Sequence, residues 1–242
     1  MEGELYSKFY EIETMHWWFT ARQEILAEII RDRIRLPQNA KVLDVGCGTG
    51  AILAILDRQF DAYGTDMSPL AIDFCRQRGL NKAYCCTLDT FPYPDLRFDL
   101  ITMLDVIEHI DDDIGVLRQA FELLNPNGRI LVTVPAYEFL WSQYDELNHH
   151  KRRYVRSRLI EVIRASGFSI EMASYYNTIL FPTAFVRRIF ERFIRPKNDS
   201  TLDLPPPSIN RILRRVFSFE RHLLRFMRLP FGLSVVAIAK KP

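Results

Sequence analysis

The sequence predicts an α/β fold with one mainly parallel, seven-stranded sheet. Apolar runs alternate with helix-like segments, which is the order that a parallel sheet requires. The run KVLDV at 41–45 leads into three glycines at alternate positions, as a buried strand leads into a tight turn. A chain of 242 residues with 48% hydrophobic content can bury one substantial core, which suits a single domain with additions.

The elements follow in order from this first strand. Strands are predicted at 41–45, 62–66, 83–86, 98–104, 129–134, 168–176 and 234–239. Helices are predicted at 51–58, 69–78, 114–124 and 157–165. Pro69 follows Ser68 as a first-turn proline follows a capping residue, and aspartates at 111–113 place negative charge at a helix start. The segment NPNG at 125–128 is expected to end that helix and turn the chain into the fifth strand.

The glycine turn indicates a nucleotide-type cofactor. Gly46, Gly48 and Gly50 allow close approach of a ligand, and Asp66 closes the next apolar run twenty residues after Gly46. A doubly wound fold uses a carboxylate at that place to bind ribose hydroxyls. The spacing G-x-G-x-G differs from the G-x-G-x-x-G of dinucleotide enzymes, in which a helix N-terminus receives a pyrophosphate. A dinucleotide-binding domain and a fold without a cofactor remain as alternatives.

Three longer segments carry a family resemblance. DVGCGTG, FDLITMLDVIEHI and LNPNGRILVTVP resemble class I S-adenosylmethionine-dependent methyltransferases, and the resemblance runs from residue 41 to about 176. It implies a Rossmann-like sheet whose last strand, in PFGLSVVAIAK, is antiparallel. One methyltransferase domain is therefore expected. It would comprise an N-terminal helical lid (1–40), the Rossmann-like core (41–177), a helical insertion (178–230) and the last strand (231–242).

The predicted S-adenosylmethionine pocket contains ten residues: Arg22, Asp44, Gly46, Gly48, Gly50, Asp66, Met67, Leu88, Asp89 and Leu104. Asp66 is expected to bind the ribose, with Met67 against the adenine, although a helix-capping Asp66 is the alternative. Asp44 is expected to organise the turn and to orient the methionine amine through water, with a purely structural role as the alternative. Arg22 precedes the turn as an arginine does in quinone-pathway O-methyltransferases, which the chain resembles, and would bind the methionine carboxylate. A surface lid arginine is the alternative.

The motif DVIEH, followed forty residues later by NHHKRRY, resembles quinone O-methyltransferases and small-RNA 2′-O-methyltransferases. In those families such residues hold a divalent metal that polarises the acceptor oxygen. Carried over, the metal ligands for Mg²⁺, Mn²⁺ or Zn²⁺ are Asp105, Glu108, His109 and His149, with His150 as the fallback for the last. His109 or His149 acting as a base without metal, with Glu108 in the catalytic set, is equally compatible with the motif.

Composition limits the surroundings in which the protein is expected to work. Apolar runs are too short to span a bilayer and the N-terminus lacks a signal-peptide pattern. Four cysteines without C-x-x-C spacing favour a reducing compartment, and we expect a cytoplasmic protein.

Charge is distributed unevenly along the chain. Residues 1–150 carry 13 basic and 24 acidic residues, a balance of −11, whereas residues 151–242 carry 19 and 6, a balance of +13. An anionic partner is one explanation, and pairing of the two halves is the other. The insertion interleaves phenylalanine with arginine, which predicts peripheral membrane contact through 178–230.

The combined interpretation is methylation of an oxygen atom on a small-molecule or lipid-linked acceptor. The acceptor loop is expected to include Trp141, Tyr144 and Asp145, with cations at 151–153 reading the substrate. RNA 2′-O-methylation is an alternative, weakened because no RNA-binding module is recognised. A non-catalytic docking subunit is another. The sequence is compatible with a monomer or a homodimer.

Overall fold

The structure is a computed structural model, and it describes residues 3–193 and 203–242. Within these residues, seven strands form one sheet in the order β3-β2-β1-β4-β5-β7-β6. The strands are β1 (Lys41–Val45), β2 (Asp61–Asp66), β3 (Ala83–Cys85), β4 (Phe98–Leu104), β5 (Leu124–Pro135), β6 (Ser169–Tyr176) and β7 (Ser234–Lys240). β7 runs antiparallel to both of its neighbours, while β1 to β5 are parallel. The predicted α/β fold with an antiparallel last strand is confirmed.

Helices precede, connect and follow these strands. The N-terminal pair is α1 (Gly3–Ile12) and α2 (Trp17–Ile29), which continues into a π-helical turn at Ile30–Ile34. The connecting helices are α3 (Ala51–Asp57), α4 (Pro69–Gln77), α5 (Asp113–Leu123), α6 (Gln143–Leu147) and α7 (Arg156–Ala165). The predicted insertion contains α8 (Phe181–Phe193), α9 (Pro207–Ser218) and α10 (Glu220–Phe226).

The sheet has a hydrophobic core on each face, because side chains alternate along a strand. Leu43 and Ile101 point to the face that α5 and α7 cover. Val42 and Leu100 point to the other face, which is covered by α2, α3, α4, α9 and α10. The N-terminal helices and the last two insertion helices therefore lie in the same layer.

The fifth strand begins earlier than predicted. The segment at 125–128 does end α5, but the structure extends β5 back to Leu124. Leu124 pairs with Phe98 and Arg129 with Leu100, so the β5 strand carries extra residues at this point. Asn127 has a positive φ of 65°, which asparagine tolerates better than most residues. The predicted turn is thus a bulge at the start of the strand.

Some cations of the basic half of the chain face acidic residues of the N-terminal half. Arg214 of α9 and Arg221 of α10 lie 2.5 and 2.7 Å from the carboxylate of Glu24 in α2. These pairs are partly exposed and contribute little stability on their own. The fully buried Phe217 and Leu224 hold the two helices against α2. Pairing of the two halves therefore explains part of the charge asymmetry.

The phenylalanines at the start of α8 pack against other aromatic rings. Phe181 stacks on Phe185 with ring centroids 5.9 Å apart, and Phe185 contacts Phe139 at 5.9 Å. The side chains at 188, 190 and 193, which belong to the predicted membrane-contacting set, lie outside the described residues. Within the described residues no helix combines the length and the apolar character needed to cross a bilayer.

Candidate active site

A cavity of about 760 Å³ opens at the carboxyl ends of β1, β2 and β4. Ligands of doubly wound sheets bind at this edge, where the loops after the strands meet. α1 and α2 cover the cavity with Tyr6, Phe9 and Trp18. Nine of the ten predicted cofactor residues line it: Arg22, Asp44, Gly46, Gly48, Asp66, Met67, Leu88, Asp89 and Leu104.

The three glycines of the turn have different roles. A Cβ at Gly46, where φ is +68°, would lie 2.6 Å from Cγ2 of Val106. A Cβ at Gly48 would have no atom within 4 Å, so that position is open on the side from which a ligand can approach. Gly50 does not line the cavity, contrary to the prediction. It begins α3 with φ +87°, and a Cβ there would lie 2.8 Å from Leu80, so its role is in packing.

Asp66 organises the turn through both carboxylate oxygens. The N–H of Gly48 donates to Oδ2 at 3.0 Å, and the N–H of Ser68 donates to Oδ1 at 2.9 Å. The capping residue of α4 is Ser68 rather than Asp66. The Tyr6 hydroxyl also hydrogen-bonds to this carboxylate, and the carboxylate retains acceptor capacity for a ligand hydroxyl. Burial raises the pKa of Asp66 above its ordinary value.

The remaining cavity residues differ in their exposure. Asp44 is buried and accepts a hydrogen bond of 2.5 Å from the Thr102 hydroxyl, and burial raises its pKa to about 7. Met67 is 76% exposed at the rim, which leaves its side chain free to contact a bound base. Leu88 is buried, whereas Asp89 is exposed.

Arg22 places a buried cation beside the cavity. Its guanidinium lies 2.8 Å from the carboxylate of Asp105 and donates to the Thr133 hydroxyl at 3.1 Å. Its Nε is buried and has no hydrogen-bond partner among the described residues. Burial opposes the charged form, but Asp105, Tyr176 and Glu108 together outweigh it, so the pKa of Arg22 rises further above its ordinary value. Arg22 is therefore buried, and the alternative prediction of a surface arginine on the lid is wrong.

The predicted metal set is partly rearranged. The ligand atoms of Glu108, His109 and His150 lie within 4.8 Å of one another. Asp105 falls outside this group because it pairs with Arg22. His149 is exposed and has a φ of +56°. In the cluster, His150 occupies the place that was predicted for His149. The fallback histidine is therefore the one that the backbone directs to the cluster.

Glu108 and His109 are both perturbed by burial. Glu108 is fully buried, and within the described part of the chain neither of its carboxylate oxygens has a hydrogen-bond partner. Burial raises the pKa of Glu108 well above its ordinary value, and the nearby Asp105 carboxylate adds to the effect. Burial and the neighbouring His150 lower the pKa of His109 to about 4, so this ring is neutral at physiological pH.

Asp145 fixes the orientation of His150. The Nδ1 of His150 lies 2.8 Å from Oδ1 of the fully buried Asp145. Arg153 donates to both oxygens of that carboxylate, at 2.8 and 3.0 Å. Burial alone would raise the pKa of Asp145, but the hydrogen bonds from His150 and Arg153 hold it below its ordinary value. Because an ionised Asp145 can only accept a hydrogen bond, Nδ1 of His150 carries the proton and donates it. Nε2 of His150 is then the free acceptor of the ring.

The structure brings only some residues of the predicted acceptor loop to the first cavity. Tyr144 lines the cavity, but Asp145 is buried beneath it. The three cations at 151–153 are engaged by protein carboxylates: Lys151 by Asp111, Arg152 by Asp113 at 3.3 Å and Arg153 by Asp145. They stabilise the loop instead of presenting unpaired charge to a substrate.

A second cavity of about 270 Å³ adjoins the first. The two share five wall residues: Trp18, Phe19, Asp105, Tyr144 and His150. Glu108 and Asn177 also line the second cavity, and Oδ1 of Asn177 is buried with no hydrogen-bond partner among the described residues. Nothing in the sequence near Asn177 predicts this place; the residue directly follows β6 and has a φ of +58°.

Glu13 is a further residue that sequence reasoning missed. It is buried, and its carboxylate accepts hydrogen bonds from the Thr49 hydroxyl and from Arg78. Thr49 belongs to the glycine turn, so Glu13 attaches the segment between α1 and α2 to the floor of the first cavity.

The sheet order, the glycine turn and the cavity at the strand ends define the class I fold of S-adenosylmethionine-dependent methyltransferases. The family model of the methyltransferase domain matches residues 13–177. The chain therefore belongs to the methyltransferase domain family.

Similar proteins include members with different acceptors in their names. Phosphoethanolamine N-methyltransferase 1 of Arabidopsis thaliana is 33% identical over 111 residues, which are 42% of this chain and 22% of that protein. The chain thus spans about a fifth of the length of this plant relative. The ubiquinone biosynthesis O-methyltransferase of Coxiella burnetii is 24% identical over 197 residues, covering 70% of this chain and 83% of that protein.

Solved structures support the fold. A TehB-like SAM-dependent methyltransferase from Corynebacterium glutamicum aligns with a TM-score of 0.58 at 20% identity. The alignment covers 99% of this chain and 98% of that chain. The likeness extends over the whole fold, including the helices outside the sheet.

Proposed function

We propose that this protein transfers the methyl group of S-adenosylmethionine to an oxygen atom of a small-molecule or lipid-linked acceptor. The observation that carries the proposal is the Asp145–His150 pair, in which an oriented imidazole opens on both cavities. Such a pair supplies a base at the place where a cofactor and an acceptor would meet. A cytoplasmic location stays a prediction.

The first cavity has the chemistry that S-adenosylmethionine requires. Gly46 and Gly48 provide close backbone approach, and Asp66 provides acceptors for ribose hydroxyls. Arg22 provides a buried cation for the methionine carboxylate, with one unpartnered donor. The acidic side chains that line this cavity, Asp44, Asp66 and Asp105, suit the positive charge of the sulfonium and of the methionine amine.

The second cavity is assigned to the acceptor. When bound, S-adenosylmethionine supplies an electrophilic methyl group on a sulfonium. Nε2 of His150 would accept the proton of the acceptor hydroxyl as that oxygen takes the methyl group. The cofactor would leave as S-adenosylhomocysteine, whose sulfur keeps the electron pair of the broken carbon–sulfur bond. Asp145 stabilises the imidazolium that results, while Tyr144 and Trp18 position the acceptor.

Calorimetry tests the cofactor assignment. S-adenosylmethionine and S-adenosylhomocysteine should bind, whereas NAD should not, because the turn lacks the dinucleotide spacing. Binding of NAD alone would overturn the assignment. The protein is then incubated with methyl-labelled S-adenosylmethionine and separate lipid, small-molecule and RNA extracts. Base-stable label in the lipid or small-molecule fraction as an ether is the expected result.

The histidines are distinguished by matched variants. His150→Gln should lower methyl transfer by roughly 10² to 10⁴-fold, the usual range for a lost general base. Asp145→Asn should also lower methyl transfer, because the asparagine amide can donate to Nδ1 of His150 and so favour the tautomer whose proton is on Nε2. His149→Gln is the comparison, since His149 is exposed at the wall of the first cavity and lies outside the cluster. Equal activity in all three variants would remove His150 from the reaction.

A metal-assisted reaction is a second candidate, favoured by the grouping of Glu108, His109 and His150. Their donors suit a divalent metal, which when bound would polarise the acceptor oxygen. The unpartnered Glu108 carboxylate and the Asp145 bond behind His150 both fit such a role. Loss of activity in excess chelator, restored by Mg²⁺, Mn²⁺ or Zn²⁺, would support it. Full activity in chelator would exclude it.

The same labelling experiment addresses the other candidate functions. Label on an amine would indicate the acceptor type named for the phosphoethanolamine relative. Label in RNA would indicate 2′-O-methylation. Cofactor binding without transfer to any fraction would favour a non-catalytic docking subunit.

A further inference from the structure

α9 and α10 expose a row of apolar side chains on the side that points away from the core. Ile212, Phe219 and Phe226 are 60%, 53% and 80% exposed. Phe217 and Leu224 alternate with them at helical spacing and are buried against α2. The two helices are therefore apolar on two sides, and only one of those sides is covered by the described part of the chain.

Unpaired arginines flank this row. Arg211 and Arg215 are exposed, and within residues 3–193 and 203–242 neither side chain has a hydrogen bond or an ion pair. Arg214 and Arg221 lie on the inward side and pair with Glu24. The arginines are thus divided by their position around the helix, and the outward ones have no acidic partner.

We propose that this α9–α10 face, formed by Arg211, Ile212, Arg215, Phe219 and Phe226, binds an anionic lipid surface. Phenylalanine and isoleucine would enter the interfacial region of the bilayer, while the arginines would contact anionic headgroups. The face combines exposed apolar area with unbalanced positive charge, and an anionic bilayer complements both.

A second copy of the chain complements the face less well. Symmetric association would bring the same arginines of two copies together. The outward positions of α9 and α10 include no acidic residue that would offset the repulsion. The lipid surface is therefore the occupant that the charges favour.

The face also lies close to the proposed acceptor site. Phe217, on the inward side of α9, contacts Trp17 with ring centroids 6.2 Å apart. Trp17 lines the second cavity. A membrane-bound α9 would therefore hold that cavity near the bilayer, where lipid-linked molecules reside.

Co-sedimentation of the full chain with vesicles tests the proposal. Vesicles of phosphatidylcholine with phosphatidylserine should bind the protein at low salt, and raised salt should weaken binding. Vesicles of phosphatidylcholine alone should bind it much less. Arg211→Glu with Arg215→Glu should lower the partition coefficient roughly tenfold or more, since both basic contacts are lost. Ile212→Ser with Phe226→Ser should also lower it.

Two further variants separate the proposal from general charge effects and from misfolding. Arg158→Glu with Arg164→Glu makes the same charge change on α7, in the other helical layer, and should leave binding nearly unchanged. Arg211→Lys with Arg215→Lys should retain binding. All variants are compared by circular dichroism and cofactor binding. Absence of binding to anionic vesicles, or an equal loss in the α7 variant, would overturn the proposal, as would a dimer that the serine variant dissociates without any vesicle binding.

Discussion

The guanidinium of Arg22 lies 2.8 Å from the carboxylate of Asp105. This ion pair joins α2 to the residue that follows β4, so it connects the helical cover to the floor of the cofactor cavity. Asp105 has a positive φ of 61°, which directs the chain after β4 into the turn carrying Glu108 and His109. One interaction thus positions both the helical cover and the start of the segment that carries Glu108 and His109.

Arg22→Ala should weaken binding of S-adenosylmethionine by about 1–3 kcal/mol, the range for a lost hydrogen bond to a charged group. Arg22→Lys keeps the charge but not the fork geometry, so an intermediate loss is expected. Calorimetry measures both. Arg76→Ala, on the exposed side of α4, is the control. Unchanged affinity in Arg22→Ala would exclude a contact with the cofactor.

Asp66→Ala should also weaken cofactor binding by about 1–3 kcal/mol. The change removes the carboxylate proposed to bind the ribose, which also accepts from the N–H groups of Gly48 and Ser68. Asp73→Ala on exposed α4 serves as the matched control. If Asp66→Ala lowers thermal stability without affecting affinity, the residue is purely structural.

The glycines should separate stability from binding. Gly46→Ala places a Cβ 2.6 Å from Val106 at a positive φ, so we expect destabilisation of about 2 kcal/mol or more in thermal unfolding. Gly48→Ala meets no atom of the protein and carries only the strain of its φ of +54°. Its larger effect should be on cofactor affinity, because the added methyl group occupies the ligand's side. A larger affinity loss in a folded Gly46→Ala would contradict this assignment.

Asp44 should make stability depend on pH. Its folded pKa of about 7 exceeds the ordinary value of 3.8, so the folded state binds this proton more tightly than the unfolded state. The contribution is full below about pH 4 and is lost as pH rises to about 7, by at most about 4 kcal/mol. Asp44→Asn should flatten this part of the denaturation profile of the free protein, whereas the exposed Asp73→Asn should not. A profile identical to that of the natural chain would show that burial does not perturb Asp44.

Most of the fold was predictable because its signals are local. Apolar periodicity and turn residues gave the seven strands, with the largest difference at β5, where pairing of Leu124 with Phe98 extends the strand. The glycine turn and Asp66 were likewise predictable, because the sequence itself shows the glycines and the carboxylate at the end of a strand. Glu13 and Asn177 were not, because nothing near them in sequence marks a contact with a distant cavity.

The amino-acid sequence by itself determined where the strands lie and which turn faces a cofactor, because those properties depend on residues a few positions apart. Tertiary structure decided between His149 and His150, because the left-handed backbone at His149 and the distant Glu108 select the second ring. It also decided which phenylalanines are covered: Phe181 and Phe185 of α8 pack against aromatic rings, whereas Phe226 of α10 is 80% exposed and meets no aromatic ring of the described residues. Burial depends on what the rest of the chain brings to a residue, and amphipathic spacing alone does not reveal it.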